Sequence, residues 1–193
     1  AEEYFCQEIN GVMISRPINY NSDQTHSLIK SYYNAGLNPI RMITESSSAL
    51  LNIYEEVKNI NIDLTNVIII DLGGGTLDVA FCEYSDEVFE IIYAFGDSQL
   101  GGKDFDEAIY NYLIDFIEKT TKLPICNATK KIIRVESERI KKDLTDSNRT
   151  NIIIPDINNS DGNLFDLKID FTRELFAQIT NDLKELTNNP LTV

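Results

Sequence analysis

The hydrophobic and polar positions divide the chain into short apolar runs that alternate with longer amphipathic segments. The short runs, some of them with a polar residue at every second position, are typical of strands. They predict strands at residues 11–15, 40–43, 67–70, 77–83, 88–95, 151–154 and 164–169. Apolar residues three and four positions apart predict helices at residues 26–34, 46–58, 104–119, 129–144 and 173–186. Because strands and helices are interleaved, the pattern predicts an α/β fold.

Polar residues indicate where some of these helices begin. Asp104 followed by Glu107 resembles a capping box, which satisfies free backbone N–H groups at a helix start. Thr172 is the predicted N-cap of the last helix. The polar stretch NYNSDQ, residues 19–24, is predicted as a connection. The first ten residues, AEEYFCQEIN, carry no secretory signal and are expected to be the end of a helix from a longer protein.

The stretch VIIIDLGGGTLDVAFCEY, residues 67–84, places three consecutive glycines between two predicted strands. In the common nucleotide folds the glycines open a helix instead, and neither G-x-x-x-x-G-K-[ST] nor G-x-G-x-x-G is present. A glycine turn between strands can still direct several N–H groups at one anion. Asp71, at the end of the first strand, would approach a phosphate only through a cation such as Mg²⁺. The alternative is an ordinary glycine-rich hairpin.

A second glycine pair supports the ligand-binding interpretation. In GDSQLGGKDFD, Gly101 and Gly102 stand directly before a predicted helix, where backbone N–H groups are free to meet an anion. The two glycine segments together predict an anion-binding site more strongly than either does alone.

Composition excludes several other classes of site. The net charge of −14 makes a sequence-independent grip on nucleic acid unexpected, because such binding needs clustered Lys and Arg. No apolar run is long enough to predict a membrane span. His26 is the single histidine, which excludes a histidine-based triad or multi-histidine metal site within this chain. Three widely spaced cysteines without a C-x-x-C pair weakly favour a reducing compartment.

Several motifs, in this order and spacing, resemble the ATPase domain of the heat shock protein 70 chaperone family. They are DLGGGTLDVA, GDSQLGGKDFDEAI and ESERIKKDL. Upstream, GVMISRPINYNSDQ is similar to that family's strand, proline and YFNDSQ segment, and AGLNPIRMITESSSALL is similar to its AGLNVLRIINEPTAAAL. The resemblance covers nearly the whole chain. It implies a partial actin-like, ribonuclease H-like ATPase fold, with residues 1–58 as the end of lobe I and 59–193 as much of lobe II.

The resemblance also implies roles for residues near the glycine turn. Asp71 matches the aspartate that orients the water shell of Mg²⁺, and Glu45 matches the glutamate that helps hold the metal and the attacking water. Asp78 matches an aspartate that helps bind K⁺; the alternative is an ordinary outward-facing strand residue. The second phosphate-binding loop of the family is matched by Gly73, Gly74, Gly75 and Thr76, whose hydroxyl is expected to meet the terminal phosphate.

Residues further along the chain match the contacts to the adenosine part of ATP or ADP. Gly101 and Gly102 match the loop beside the sugar and phosphates. Three helical residues match the surroundings of adenine and ribose, and a fourth follows with weaker support: Glu138, Lys141, Lys142 and Thr145. Without the resemblance, the first three would be read as a surface ion-pair cluster.

Some positions depart from the family pattern. Lys142 stands where Arg is usual and lacks the planar group that stacks on a base. Lys103 replaces a Glu, Ser46 replaces a proline, and Thr25 occupies the place of the arginine partner of Pro17 in interdomain communication. We expect these changes to affect the coupling between the nucleotide site and the peptide-binding domain more than they affect nucleotide binding.

The chain also lacks three motifs of the family: a D-L-G-T-T phosphate loop, the catalytic lysine segment and the G-G-S-T-R-I-P adenosine motif. We therefore expect ATP turnover by these 193 residues alone to stay near background, although the parent protein is expected to be an ATPase.

The predicted function is that of an ATP-driven chaperone, which assists folding through nucleotide-gated peptide binding. Its expected partners are unfolded polypeptides bound through another domain, J-domain co-chaperones and nucleotide-exchange factors. The alternative is a non-catalytic relative acting as exchange factor or co-chaperone; an actin-like filament protein or sugar kinase fits the motifs less well. We expect a cytoplasmic location, with an organelle or the endoplasmic reticulum lumen as alternatives.

Overall fold

The computed structural model describes residues 2–57, 65–86, 88–158 and 164–188. The predicted end of a helix at Lys58 and most of the polar segment after it lie outside these ranges. The chain divides into two compact units, Ala1–Gln99 and Leu100–Val193. This division follows contacts within the chain; the assignment of residues 1–58 and 59–193 to two lobes stays a prediction.

The first unit contains eight elements among its described residues. They are α1 (Glu2–Phe5), β1 (Val12–Arg16), α2 (Ser22–Asn34), β2 (Pro39–Thr44), α3 (Glu45–Val57), β3 (Asn66–Leu72), β4 (Leu77–Ser85) and β5 (Val88–Asp97). Strands β1 and β2 pair in parallel, and β3, β4 and β5 form an antiparallel sheet in that order. Helix α3 covers one face of this sheet, where Leu50 packs against Ile69, Ala80 and Cys82.

The second unit consists of a helical pair, a hairpin and two short helices in its described part. They are α4 (Gly102–Thr121), α5 (Asn127–Asp146), β6 (Arg149–Asn158), β7 (Leu164–Thr172), α6 (Arg173–Ile179) and α7 (Asn181–Asn188). Strands β6 and β7 are antiparallel. Side chains three and four positions apart on α4 and α5 pack against the inward side of the hairpin, and burying each contributes about 1.5–3 kcal/mol. This core includes Ile109, Leu113, Ile117, Ile133, Ile140, Ile154 and Phe171.

The α/β prediction is confirmed, and every predicted strand and helix has a counterpart, but several helix boundaries differ from the predicted ones. Helix α2 begins at Ser22, inside the polar segment predicted as a connection. Asn21 accepts a hydrogen bond from the backbone of Gln24 at 2.9 Å, and the Gln24 side chain accepts one from the Asn21 backbone at 2.9 Å. Asn21 and Gln24 therefore form a capping box that the sequence analysis did not predict.

Helix α4 begins at Gly102, two residues before the predicted start at Asp104. Asp104 is the third helical residue, and its Oδ2 accepts a hydrogen bond from the Gly101 N–H at 2.8 Å. The predicted last helix is two helices, α6 and α7, because the backbone departs from helical geometry at Thr180. Thr172 caps α6 as predicted, with its Oγ1 accepting from the Leu175 N–H at 3.2 Å.

In the part of the chain that the structure describes, no helix combines the length and apolar character that a bilayer crossing requires.

Candidate functional site

Two acidic residues and a glycine form one row across the antiparallel sheet, beside the turn that joins β3 to β4. Asp71 on β3 is the cross-strand partner of Asp78 on β4, and Asp78 is in turn the partner of Gly96 on β5. Asp71 is exposed, whereas Asp78 has only 1% of its surface accessible to solvent. The antiparallel register, set by the turn, therefore brings the two predicted metal-associated aspartates together.

Glu45 reaches the same place from the parallel pair. It is the first residue of α3, directly after β2, and the helix start is fixed by Thr44, whose Oγ1 accepts from the Ser47 N–H at 3.1 Å. Burial raises the pKa of the Glu45 carboxyl, and the charges of Asp78 and Asp71 raise it further. We call Glu45, Asp71 and Asp78 the carboxylate cluster.

Asp78 is the most deeply buried member of this cluster. Burial raises the pKa of its carboxyl and Asp71 adds to the rise, while a hydrogen bond from the Ile18 N–H to Oδ1 at 3.0 Å opposes it. The other oxygen, Oδ2, is buried and has no hydrogen-bond partner among the described residues. The alternative that Asp78 is an ordinary outward-facing strand residue is therefore wrong; its expected contact with K⁺ stays a prediction.

The glycine turn, Gly73–Thr76, is closed by a hydrogen bond from the Gly73 N–H to the Thr76 carbonyl at 2.8 Å. A Cβ placed on Gly74 or Gly75 would meet no described atom within 4 Å. Of the glycines that the structure describes, only Gly36 has a positive φ. Neither space nor backbone conformation within the fold therefore requires glycine at positions 74 and 75.

The donor set of the carboxylate cluster fits a cation. Burial and, to a smaller extent, neighbouring carboxylates raise the pKa of Glu45 and of Asp78, and a hard divalent cation prefers such oxygens. Across residues 2–57, 65–86, 88–158 and 164–188, however, no three Cys, His, Asp or Glu side chains are close enough to ligate one metal ion directly. The cluster is thus suited to hold a cation together with its water shell.

In the second unit, α5 is joined to the start of α4 by Lys141. Its Nζ donates to the Gly102 carbonyl at 2.8 Å and lies 2.7 Å from Oδ1 of Asp106. Gly101 is buried, and its N–H is already used by Asp104. The structure therefore brings Gly101, Gly102 and Lys141 together, as their expected common role requires, although no contact with a ligand is tested.

Glu138 and Lys142 form an exposed ion pair one helical turn apart on α5, with 2.7 Å between Oε1 and Nζ. The hydrogen bond from Lys142 lowers the pKa of Glu138, and the same bond raises the pKa of Lys142. Thr145 is exposed in the last turn of α5, where its carbonyl accepts from Nη2 of Arg173 at 3.0 Å. Glu138 and Lys142 thus form the surface ion pair that the alternative interpretation predicted. The adenosine-binding role of these residues stays a prediction.

Two neighbours of the carboxylate cluster were missed by the sequence analysis. Asn19 follows β1 and has a buried Oδ1 without a partner among the described residues, and Gly96 lies directly beside it. Gly96 follows the predicted strand at residues 88–95 and lies inside β5 only in the structure, where a glycine within a strand often marks a close approach of another group. No pattern in the sequence indicated Asn19.

The departures from the expected motifs have different surroundings. Ser46 is 1% exposed, and its Oγ has no hydrogen-bond partner within the described part of the chain. Lys103 is exposed in the first turn of α4, Thr25 is half-buried on α2, and Pro17 is buried after β1. Of these changes, only Ser46 leaves a buried polar atom unsatisfied among the described residues, directly after Glu45.

The family model described as Hsp70 protein matches the chain over residues 1–193.

Proposed function

Since this chain belongs to the heat shock protein 70 family, we propose that its glycine turn and carboxylate cluster bind the phosphoryl end of ATP with Mg²⁺ and promote hydrolysis. The family membership itself makes the chain part of a nucleotide-binding chaperone with an actin-like ATPase fold, which acts on client polypeptides together with co-chaperones. The division into lobe I, residues 1–58, and lobe II, residues 59–193, belongs to this proposal.

The observation that carries the proposal is the freedom of Gly74 and Gly75. Glycine costs conformational entropy on folding and is retained where a turn, a strained φ or a close approach requires it. Here neither position has a positive φ, and a Cβ would meet nothing among the described atoms. The fold therefore leaves this side of the turn open, and a phosphate approaching the backbone N–H groups is the ligand that such a turn suits.

The residues around the turn have chemistry suited to transfer of a phosphoryl group to water. The N–H groups of the turn and the Thr76 hydroxyl would donate to phosphoryl oxygens, where negative charge develops. The raised pKa of Glu45 brings its carboxylate closer to the working pH, as a group that orients water and accepts its proton needs. Bound Mg²⁺ would neutralise phosphoryl charge. Asp71, exposed at the strand end, would orient water around that ion.

The finer assignments rest on the family resemblance and on local charge. Asp78 would hold K⁺ through the oxygen that lacks a partner among the described residues. The proposed contacts to the sugar, phosphates and adenine come from Gly101, Gly102, Glu138, Lys141, Lys142 and Thr145. J-domain co-chaperones, nucleotide-exchange factors and a client-binding domain are proposed as the partners that couple hydrolysis to folding.

A second candidate is a non-catalytic relative that works as an exchange factor or co-chaperone. Ser46 favours it, because a buried hydroxyl without a partner among the described residues follows Glu45 where the family has proline. Such a protein would retain nucleotide binding and lose turnover. Single-turnover hydrolysis of bound ATP by the full-length protein separates the two candidates.

The test of the phosphate-binding role uses Gly74→Ala in the full-length protein. Since no described atom lies within 4 Å of the added Cβ, folding should be unchanged, but the methyl group would occupy the phosphate's approach. We expect Mg-ADP and Mg-ATP affinity to fall by about tenfold or more, equivalent to at least about 1.4 kcal/mol.

Calorimetric titration measures the affinity, and thermal unfolding checks the fold. Ser85→Ala, at the exposed far end of β4, is the control and should bind like the wild type. Unchanged nucleotide affinity in a folded Gly74→Ala protein contradicts the proposal.

A further inference from the structure

Gly96 is in the opposite situation to Gly74, because the fold itself leaves no room for a side chain there. A Cβ at Gly96 would lie 2.8 Å from Cγ and 2.9 Å from Cβ of Asn19, and 2.9 Å from Oδ1 of Asp78. Real Cβ atoms do not approach other atoms this closely. The space that a β5 side chain would fill is therefore occupied by groups from the segment after β1 and from β4.

The segment after β1 is also hydrogen-bonded to β4 at this point. The Ile18 N–H donates to Oδ1 of Asp78 at 3.0 Å, and a hydrogen bond to a carboxylate is stronger than one between neutral groups. Asn19 is next in the chain and lies against the bare Cα of Gly96. Three segments distant in sequence thus meet at one carboxylate: the Pro17–Asn19 turn, β4 and β5.

We propose that Gly96 and Asn19 are positioning residues, which lock the Asp78 carboxylate against the Pro17–Asn19 turn and thereby set the position of the glycine turn two residues before Asp78. The contact fixes the turn on its β4 side, since Asp78 is held from both β5 and the segment after β1. Any shift of the Pro17–Asn19 turn therefore reaches the glycine turn through Asp78. The consequence for nucleotide affinity rests on the proposed function, whereas the mechanical link does not.

The packing of Gly96, Asn19 and Asp78 against one another, which we call the interlock, also accounts for the burial of polar oxygens at this point. Asn19 Oδ1 and Asp78 Oδ2 are both buried, and neither has a partner among the described residues, which normally costs free energy. Polar atoms stay in such an unfavourable environment only where the surrounding structure fixes them. Here the close contacts at Gly96 fix both side chains. A looser packing would let both oxygens reach water and would free the carboxylate.

The experiment compares Gly96→Ala, Asn19→Gly and the double variant by NMR in the full-length protein. In Gly96→Ala the added methyl displaces Asn19 and Asp78. We expect exchange of the Ile18 amide to accelerate by about tenfold, as expected for loss of one charge-assisted hydrogen bond. The amide signals of residues 73–76 should shift at the same time, and Mg-ADP affinity should fall severalfold.

The double variant is the decisive comparison, because it distinguishes a specific displacement of Asp78 from a general disturbance of the fold. Removing the Asn19 side chain relieves the two closest contacts of the methyl group introduced by Gly96→Ala, so that the remaining contact with Oδ1 of Asp78 can be relieved by a small movement into the vacated space. The signals of residues 73–76 and the Mg-ADP affinity should therefore return most of the way towards the Asn19→Gly values. Glu90→Ala, exposed on the same strand, is the control and should leave all three readouts unchanged. If Gly96→Ala does not fold, Asn19→Ala gives the same readouts with smaller shifts.

The outcomes are distinguishable from failure of the proposed function. If the wild type binds no nucleotide but the turn signals move in Gly96→Ala and return in the double variant, the interlock stands and the proposed function fails. If the signals of residues 73–76 do not move in either Gly96→Ala or Asn19→Ala, the interlock is overturned. If they move but do not recover in the double variant, the effect is general damage and the interlock is likewise overturned.

Discussion

The carboxylate cluster of the first unit and the α4–α5 face of the second unit differ in how their charged side chains are compensated. Glu45 and Asp78 have raised pKa values, and Asp78 keeps one buried oxygen without a partner among the described residues. On α5, Lys141 lies close to both an acid and a carbonyl oxygen, and Lys142 is paired with Glu138. In the first region burial and like charges raise the pKa of two carboxyl groups, whereas in the second region each of these lysines is paired with an acid.

The difference predicts which region a bound cation would stabilise. Like charges and burial destabilise the ionised carboxylates of the cluster, and a cation would relieve both effects. The α4–α5 face gains nothing comparable, since a ligand there must compete with existing ion pairs. Stability measured without nucleotide should therefore respond in opposite directions when charges are removed from the two regions.

The largest effect is expected from Lys141→Met in the second unit. The substitution keeps an unbranched apolar stem of similar length but removes the partner of Asp106 and of the Gly102 carbonyl, both partly buried. Loss of bonds to a charged group costs about 1.5–3 kcal/mol, which corresponds to a decrease in melting temperature of several degrees. Thermal unfolding followed by circular dichroism measures it. An unchanged melting temperature would show that this ion pair does not join the two helices.

The opposite sign is expected from Asp78→Asn in the first unit. The amide removes a buried like charge, keeps an oxygen to accept from the Ile18 N–H, and offers a donor to the nearby Asn19 oxygen. We expect nucleotide-free protein at neutral pH to gain about 1 kcal/mol of unfolding free energy, within the range that such optimisation commonly gives. Urea unfolding measures the gain. A loss of stability would mean that the carboxylate is already compensated.

The pH dependence of stability should also come from the carboxylate cluster. Because the native pKa values of Glu45 and Asp78 are raised, the native state binds more protons than the unfolded state between the ordinary and the raised values. The free energy of unfolding therefore falls as pH rises through that window, and the penalty is fully present above it. Unfolding of nucleotide-free wild type and Asp78→Asn should show a shallower slope in the variant. Equal slopes would contradict the assignment.

The smallest effect is expected from Glu138→Gln. The carboxylate and Lys142 are exposed, so that solvent replaces their interaction at little cost. We expect a melting temperature equal to that of the wild type within error. If calorimetry nevertheless finds weaker Mg-ADP binding, the predicted adenosine contact gains support, whereas a clear loss of stability would show that the ion pair is structural.

The sequence predicted the elements well where apolar residues recur at regular spacing on one face of the element. The apolar positions on α4 and α5 fall on the core side because helical spacing and burial coincide. Helix starts were harder, since the capping box of Asn21 and Gln24 lies in a polar segment that was predicted as a connection. The break at Thr180 follows from no local breaker residue and was not predictable from composition or period.

For the candidate site, motif resemblance supplied most of the residues, and the antiparallel register explains why Asp71 and Asp78 meet. The environment of each residue was not predictable, because burial depends on segments far apart in sequence. Asp78 alternates like any strand residue, yet it is enclosed by the turn containing Ile18 and Asn19. The sequence does not show what surrounds Gly74 and Gly96. Only the structure shows that Gly74 faces open space and that Gly96 is packed against other groups.

The most direct test of the account is a titration of the Asp78 carboxyl carbon, followed by NMR with and without Mg-ADP in the full-length protein. Without the nucleotide, the pKa of Asp78 should lie above that of an ordinary aspartate, and on addition of Mg-ADP it should fall. An ordinary pKa that does not change with Mg-ADP would contradict the claim that this cluster awaits a cation.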